Sequence, residues 1–299
     1  MRFQTWPNHA LQRTAAGSRG CQSARLVAAV AELGSLDGKS DGMRMNRNII
    51  TSSLIFISLG IAHAESFNNL AQALASPERV TSLSIKEYDP NIKHLPPKIG
   101  ALINLEELQI SCLENLEDIP VEIGQLKKLE KIIIDNGNAC QMNVSIPASI
   151  GELTNLKVLR LFGALGPGEI GSPVKPLPAT IAKLQNLEEL DLGRNRLQTL
   201  PPEISNLKNL RKLELDYNDL HDIPSFIGEL KNLRELSIRS NHVIKLPQSL
   251  SNLSGLKISM GNNFLKLKDQ AELRRQFSSA TFDFENEYDD VAANEELPK

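Results

Sequence analysis

Aromatic side chains are scarce in this 299-residue chain, at 4%. Any core it builds must therefore be aliphatic, and Leu and Ile recur through its middle. Clustered Lys and Arg are also missing. Net charge is −3, and phosphate-backbone binding needs a basic patch, so nucleic acid is not an expected partner. No apolar run reaches the roughly 20 residues that a membrane span requires: the one candidate, Ile49 to Ala62, contains Thr51, Ser52, Ser53 and Ser58. Beyond residue 64 the histidines are His94, His221 and His242, with no i,i+4 pair and no carboxylate at metal-ligand spacing, which argues against a metal site. There is no GxSxG, no phosphate-cradling Gly loop and no Cys near a His in a recognisable order. No enzyme class and no cofactor is implied.

What the chain has begins with a leader. Met43-Arg44-Met45-Asn46-Arg47 is basic, Ile49 to Ala62 is apolar, and Ala62-His63-Ala64 places small residues at the two positions a signal peptidase reads. This layout predicts a secretory signal over 43–64, with cleavage after Ala64. Residues 1–42 carry no periodicity and are expected to be a disordered leader preceding a true start at Met43 or Met45. Residues 1–64 hold seven Lys/Arg and three Asp/Glu, so the mature chain carries −7; the segment 285–299, with six acids and one Lys, is expected to be a disordered acidic tail.

Between leader and tail the chain repeats itself. An apolar-Pro pair recurs at Leu95-Pro96, Ile119-Pro120, Ile146-Pro147, Leu177-Pro178, Leu200-Pro201, Ile223-Pro224 and Leu246-Pro247. Three units read LxxLxLxxNxLxxLP, beginning at Leu187, Leu210 and Leu233. In LxxLxL, apolar residues two apart share one side of a short strand, while Ile and Leu three apart after each Pro fit a turn of helix or 3₁₀. Neither piece can bury its apolar side alone, so stability must come from stacking one unit on the next.

With its LPxxIGxLxxL segments at Ile99-Gly100, Ile123-Gly124, Ile150-Gly151 and Ile227-Gly228, the sequence resembles the leucine-rich-repeat family, in its 23-residue form. The resemblance implies an α/β fold: a right-handed solenoid, or horseshoe, with a parallel concave sheet and a helical or 3₁₀ convex side. It spans 80–268 in about eight repeats. A helical cap over 65–79, reading as one helix from Ser66 to Glu78, precedes the first strand, Val80 to Ile85. A C-terminal cap over 269–284 combines a helix, Gln270 to Phe277, with a last strand. Secreted bacterial proteins of the family close their arrays similarly, which the resemblance extends to this chain.

Polar residues inside such a stack need partners. Asn195, Asn218, Asn241 and Asn263 recur at the ninth position, where each amide can satisfy turn backbone in its own and the adjacent coil. Residues between the strand leucines should face the concave surface. Most are polar; Ile133, Val158 and Phe162 are not, and they mark a candidate hot spot flanked by Arg160, Glu189, Asp191, Arg194, Glu214, Asp216 and Tyr217. The same two repeats carry insertions, 137–144 and 163–175, which either carry recognition or reflect slack in loop length. Cys112 and Cys140 are the two cysteines beyond the leader; in an oxidising compartment they are expected to pair, with two unpaired thiols as the alternative.

The sequence thus points to an exported, monomeric binding module that holds a protein or peptide ligand on its concave face. The alternative is a structural envelope or surface component that binds polysaccharide or itself. Carbohydrate binding calls for stacking aromatics, and the concave face offers only Phe162 and Tyr217.

Overall fold

The computed structural model describes residues 65–86, 92–113, 115–135, 142–166 and 174–285. The expected leader and signal segment, Cys140, most of both insertions and the residues beyond Glu285 lie outside these residues. Everything below concerns the compact unit that runs from Ile61 to Lys299.

Its strands are β1 (Glu65–Phe67), β2 (Val80–Ile85), β3 (Glu107–Ser111), β4 (Lys131–Asp135), β5 (Val158–Phe162), β6 (Glu189–Asp191), β7 (Lys212–Glu214), β8 (Glu235–Ser237), β9 (Lys257–Ser259) and β10 (Thr281–Asp283). They form one parallel sheet in strict chain order. Parallel neighbours require a crossover between them, and here each crossover from β2 to β9 includes a five-residue 3₁₀ turn, such as Pro97–Ala101 or Ser225–Glu229. The family's horseshoe solenoid is the architecture that results.

The recurrent Pro starts each turn. Pro96, Pro120, Pro147, Pro178, Pro201, Pro224 and Pro247 are the residues before the seven 3₁₀ segments, with φ between −60° and −74°. The ring fixes that angle and no N–H is lost where none is needed. The Pro carbonyl then accepts the first bond of the turn, as from Ile99 N to Pro96 O at 2.9 Å.

Register follows from the leucines. Leu83, Leu108, Ile132, Leu159, Leu190, Leu213, Leu236 and Ile258 pair in sequence across β2 to β9, and none is more than 3% exposed. Fully burying one such side chain is worth about 1.5–3 kcal/mol. That gain exists only when the next coil supplies the other wall, so coil stacking and core formation are a single event.

The ends differ from the expected caps. Instead of one helix from Ser66 to Glu78, Glu65–Phe67 pairs with β2, α1 covers Leu70–Ala75 only, and Pro77–Arg79 is a 3₁₀ turn. Pro77 is the physical reason for the early stop, since the residue before a proline is pushed out of helical geometry; Ser76 has φ −140°. Asn69 caps α1 by accepting from Gln72 N at 3.0 Å. At the other end α2 (Leu267–Gln276) begins three residues earlier than expected, and Asp269 accepts from Lys266 N at 3.1 Å. Phe277 is buried beneath it, and β10 then completes the sheet beside β9.

Candidate binding surface

Two rows of side chains cross the concave sheet. One reads Lys131, Val158, Glu189, Lys212, Glu235, Lys257 from β4 to β9; beside it lies Ile133, Arg160, Asp191, Glu214, Ser237, Ser259. The first row nearly alternates in sign, and the two rows exchange ion pairs. Arg160 Nη2 reaches Glu189 at 3.1 Å, Lys212 Nζ reaches Glu214 at 3.0 Å, and Lys131 Nζ reaches Glu107 at 2.8 Å. Solvent-facing pairs like these contribute little stability. Their effect is to engage Lys131, Arg160 and Lys212 with other carboxylates.

Asp191 of β6 and Asp216, two residues past β7, are left over. Among the described residues no salt bridge reaches Asp191 or Asp216. Asp191 accepts only from Gly193 N, at 2.8 Å. Burial raises its pKa first, Glu214 and Asp216 raise it further, and the Gly193 N–H and Arg160 oppose; the carboxyl is pushed up to about 6. Asp216 is also raised by burial, against hydrogen bonds from Ser237 Oγ at 2.6 Å and Arg239 N at 2.7 Å. Arg160 is raised despite its burial, because Glu189 binds it and Glu214 and Asp191 add to the attraction.

This arrangement has a consequence for stability. Between its unfolded value near 3.8 and its folded value near 6, Asp191 binds a proton in the folded state that it lacks when unfolded. Its contribution is therefore greatest at and below about pH 4 and is lost as pH rises through 6. Asp191→Asn keeps the acceptor for Gly193 N and removes the charge. It should stabilise the fold by about 1–2 kcal/mol at pH 7.5, after discounting for partial exposure, and by almost nothing at pH 4. Urea denaturation at the two pH values measures this; an equal gain at both would mean that charge is not the cause.

Ile133, Val158 and Phe162 lie on neighbouring strands. Register sets Ile133 beside Arg160, with Val158 and Phe162 on either side of Arg160 in its own strand. All three are half-buried. The Phe162 ring lies where a side chain on Gly193 would sit: a Cβ there would come within 2.8 Å of it. Arg194 and Tyr217 do not belong to the sheet surface. They follow the strands in left-handed backbone, φ 58° and 57°, and that turn carries them to the edge of the coil. Glu189, Asp191, Glu214 and Asp216 do come together. A shallow depression of about 180 Å³ lies over β7 to β9, with Glu214, Asp216, Glu235 and Arg239 in its wall. It excludes Ile133, Val158 and Phe162.

The four ladder asparagines are all under 5% exposed, and each bonds in two coils. Asn218 Oδ1 accepts from Asn195 N and Leu197 N, while its Nδ2 donates to Leu192 O and Leu215 O. Asn195 accepts from Leu165 N, Asn241 from Leu220 N and Asn263 from Val243 N. Cys112 stands just past β3 at φ 56°, with its N–H on Asp135 O; its expected partner Cys140 is outside the described residues.

Sequence reasoning missed the edge of the last coils. His221 and His242 stack with centroids 5.0 Å apart, and Phe264 continues the column at 6.0 Å. The signal was available in the positions flanking each ladder Asn, but a concave-face reading passes over them.

Residues 168–272 match the family described as leucine-rich repeat region. A uridine 5'-monophosphate transferase of Xanthomonas campestris is 29% identical over 97 residues, which is 32% of this chain; the chain spans 17% of that relative's length. Among solved structures, a leucine-rich-repeat protein of Leptospira interrogans is 20% identical, with 74% of this chain and 100% of that one covered and a TM-score of 0.36. An internalin of Listeria monocytogenes is 18% identical, with 74% and 72% covered and a TM-score of 0.43. The matched residues include β6 to β9 and all four ladder asparagines, and the coils before them repeat the same strand and 3₁₀ turn, so over 168–272 the chain carries a leucine-rich repeat region and the earlier coils continue its fold.

Proposed function

We propose that this chain is an exported, non-catalytic binding module that holds a protein or peptide partner on its concave sheet. The observation that carries the reading is the cluster of Asp191, Glu214 and Asp216 on adjacent coils, two of them raised in pKa and without an ion pair. A Lys or Arg from a partner would supply the missing cation in a partly desolvated place, where charge complementarity gives specificity and rate of encounter. The half-buried Ile133, Val158 and Phe162 would border that contact. Export rests on the Met43 to Ala64 layout. Among the described residues no helix is long and apolar enough to cross a membrane, and no group of three or more His, Cys, Asp or Glu side chains could hold a metal.

The test is capture of partners by the full chain, compared with Glu214→Lys and with Val121→Asp, whose site is 65% exposed outside the sheet. The expected partner carries a basic segment, is lost with Glu214→Lys, is released by 0.5 M salt and is retained by Val121→Asp. Loss of a hydrogen-bonded charge contact at an interface costs about 2–5 kcal/mol. Equal capture by wild type and Glu214→Lys would defeat the reading.

A further inference from the structure

One sizeable concavity is not on the sheet. It is a groove of about 630 Å³ along the edge of the last three coils, within the range of small-ligand sites. Its walls are the residues on either side of the ladder asparagines. Tyr217 and Asn262 precede a ladder asparagine, Asp219, His242 and Phe264 follow one, and Gln270 of α2 and Phe284 join them in the lining. We propose that this groove is a binding site for a neutral carbohydrate chain, distinct from the concave surface.

Four features select that ligand class. The first is an accessible ring face. Phe264 is 81% exposed although it stacks on His242, and Tyr217 is 38% exposed; large exposed aromatics in a chain with so few are a cost unless something covers them. The apolar face of a pyranose is a fitting cover, as aromatic faces pair with polarised C–H groups. The second is the polar complement. An amide from Asn262, another from Gln270 and the Asp219 carboxylate give donors and acceptors together, which hydroxyl-rich ligands require.

The third feature is charge. Asp219 is the lone acid of the lining and no Lys or Arg joins it, so nothing there would attract a phosphate or another anion. The fourth is the state of the backbone. The N–H groups that border the groove are spent on neighbouring coils: Tyr217 N on Arg239 O, Asp219 N on Leu197 O, Ser240 N on Gly261 O and His242 N on Leu220 O. A peptide that binds by main-chain pairing needs free backbone groups, and the groove has few to give. A saccharide needs only side chains and rings. The coils also advance by roughly 5 Å, the spacing of paired strands, so similar side chains recur along the groove at about the step of one sugar unit.

The test uses the full chain with cellohexaose, chitohexaose and isomaltohexaose in isothermal titration calorimetry, and a Trp-containing hexapeptide as the contrasting probe. At least one hexasaccharide should bind with a dissociation constant below about 1 mM. Phe264→Ala should weaken it by about tenfold or more, and Gln270→Ala should weaken it measurably. Val121→Ser, outside the groove, should leave it unchanged, and circular dichroism melting should show all three variants folded. Absence of binding by all three sugars, equal affinity in folded Phe264→Ala, or binding of the peptide alone would each overturn the proposal. None of these outcomes depends on whether a protein partner occupies the concave face.

Discussion

Asn218→Ala should destabilise the solenoid by about 3–5 kcal/mol, more than the same change at Asn195, Asn241 or Asn263. The ranking comes from what each amide leaves behind. Leu192 O and Leu215 O would each keep a bond, from Asn195 Nδ2 and Asn241 Nδ2. The N–H groups of Asn195 and Leu197 would not, since Asn218 Oδ1 is the acceptor of both. A buried donor without a partner costs about 1–3 kcal/mol, and a small void adds to it. At the other three positions one N–H is orphaned: Leu165 N, Leu220 N or Val243 N. Guanidinium denaturation of the four variants checks the order. Equal losses would mean that the asparagines act as independent polar fillers, and the shared acceptor at Asn218 would have no energetic meaning.

A single methyl group on the outer side should have a comparable effect. Gly228→Ala places a Cβ 2.4 Å from Ser249 O and 2.6 Å from Ser249 C, well inside van der Waals contact with backbone that the next coil holds in place. Overpacking usually costs about 1–3 kcal/mol; with rigid backbone as the obstacle, about 3 kcal/mol is expected. The corresponding positions after the conserved-pattern Ile or Leu are Ala182, Ser205 and Ser251 in other coils, so the position as such does not demand Gly. The approach of the following turn does. Gly151, 2.4 Å from Thr180 O by the same measure, should behave as Gly228 does. Ala182→Gly should lose only the roughly 0.5–1 kcal/mol of added chain entropy. Thermal melting of the three variants separates local crowding from a general requirement for glycine, which would make Ala182→Gly stabilising.

Both effects bear on function through rigidity. The carboxylates of the concave face and the rings of the edge groove sit on successive coils, and each coil is positioned by the one beside it. Loosening the ladder or wedging the outer turns apart would change the spacing of Asp191, Glu214 and Asp216 as well as stability. Reduced affinity is therefore expected in folded variants of either kind.

The repeat determined the fold without help from coordinates. Leucines two apart can share only one face of a strand, and a face that cannot be covered within 23 residues must be covered by the next copy; hence the parallel sheet, the 3₁₀ turns after each Pro, and the burial of Leu190, Leu213 and Leu236. Some local features resisted the same logic. Periodicity over Ser66 to Glu78 suggests one helix, but sheet pairing of Glu65–Phe67 and the restriction before Pro77 divide the segment.

Site geometry was less legible, because it depends on relations between coils and not within one. That Asp191 has no salt bridge although Arg160 stands beside it follows from Arg160 reaching Glu189 and Lys212 reaching Glu214, choices that no linear pattern encodes. That Tyr217 leaves the sheet follows from left-handed backbone one residue before a ladder Asn, which no apolar pattern encodes. The edge groove exists because His242, Phe264, Gln270 and Phe284 come from two coils, a helix and the end of the last strand. A linear sequence carries hydrophobic period strongly, since every core residue obeys it. It carries the convergence of polar side chains weakly, since only packing in three dimensions brings them together.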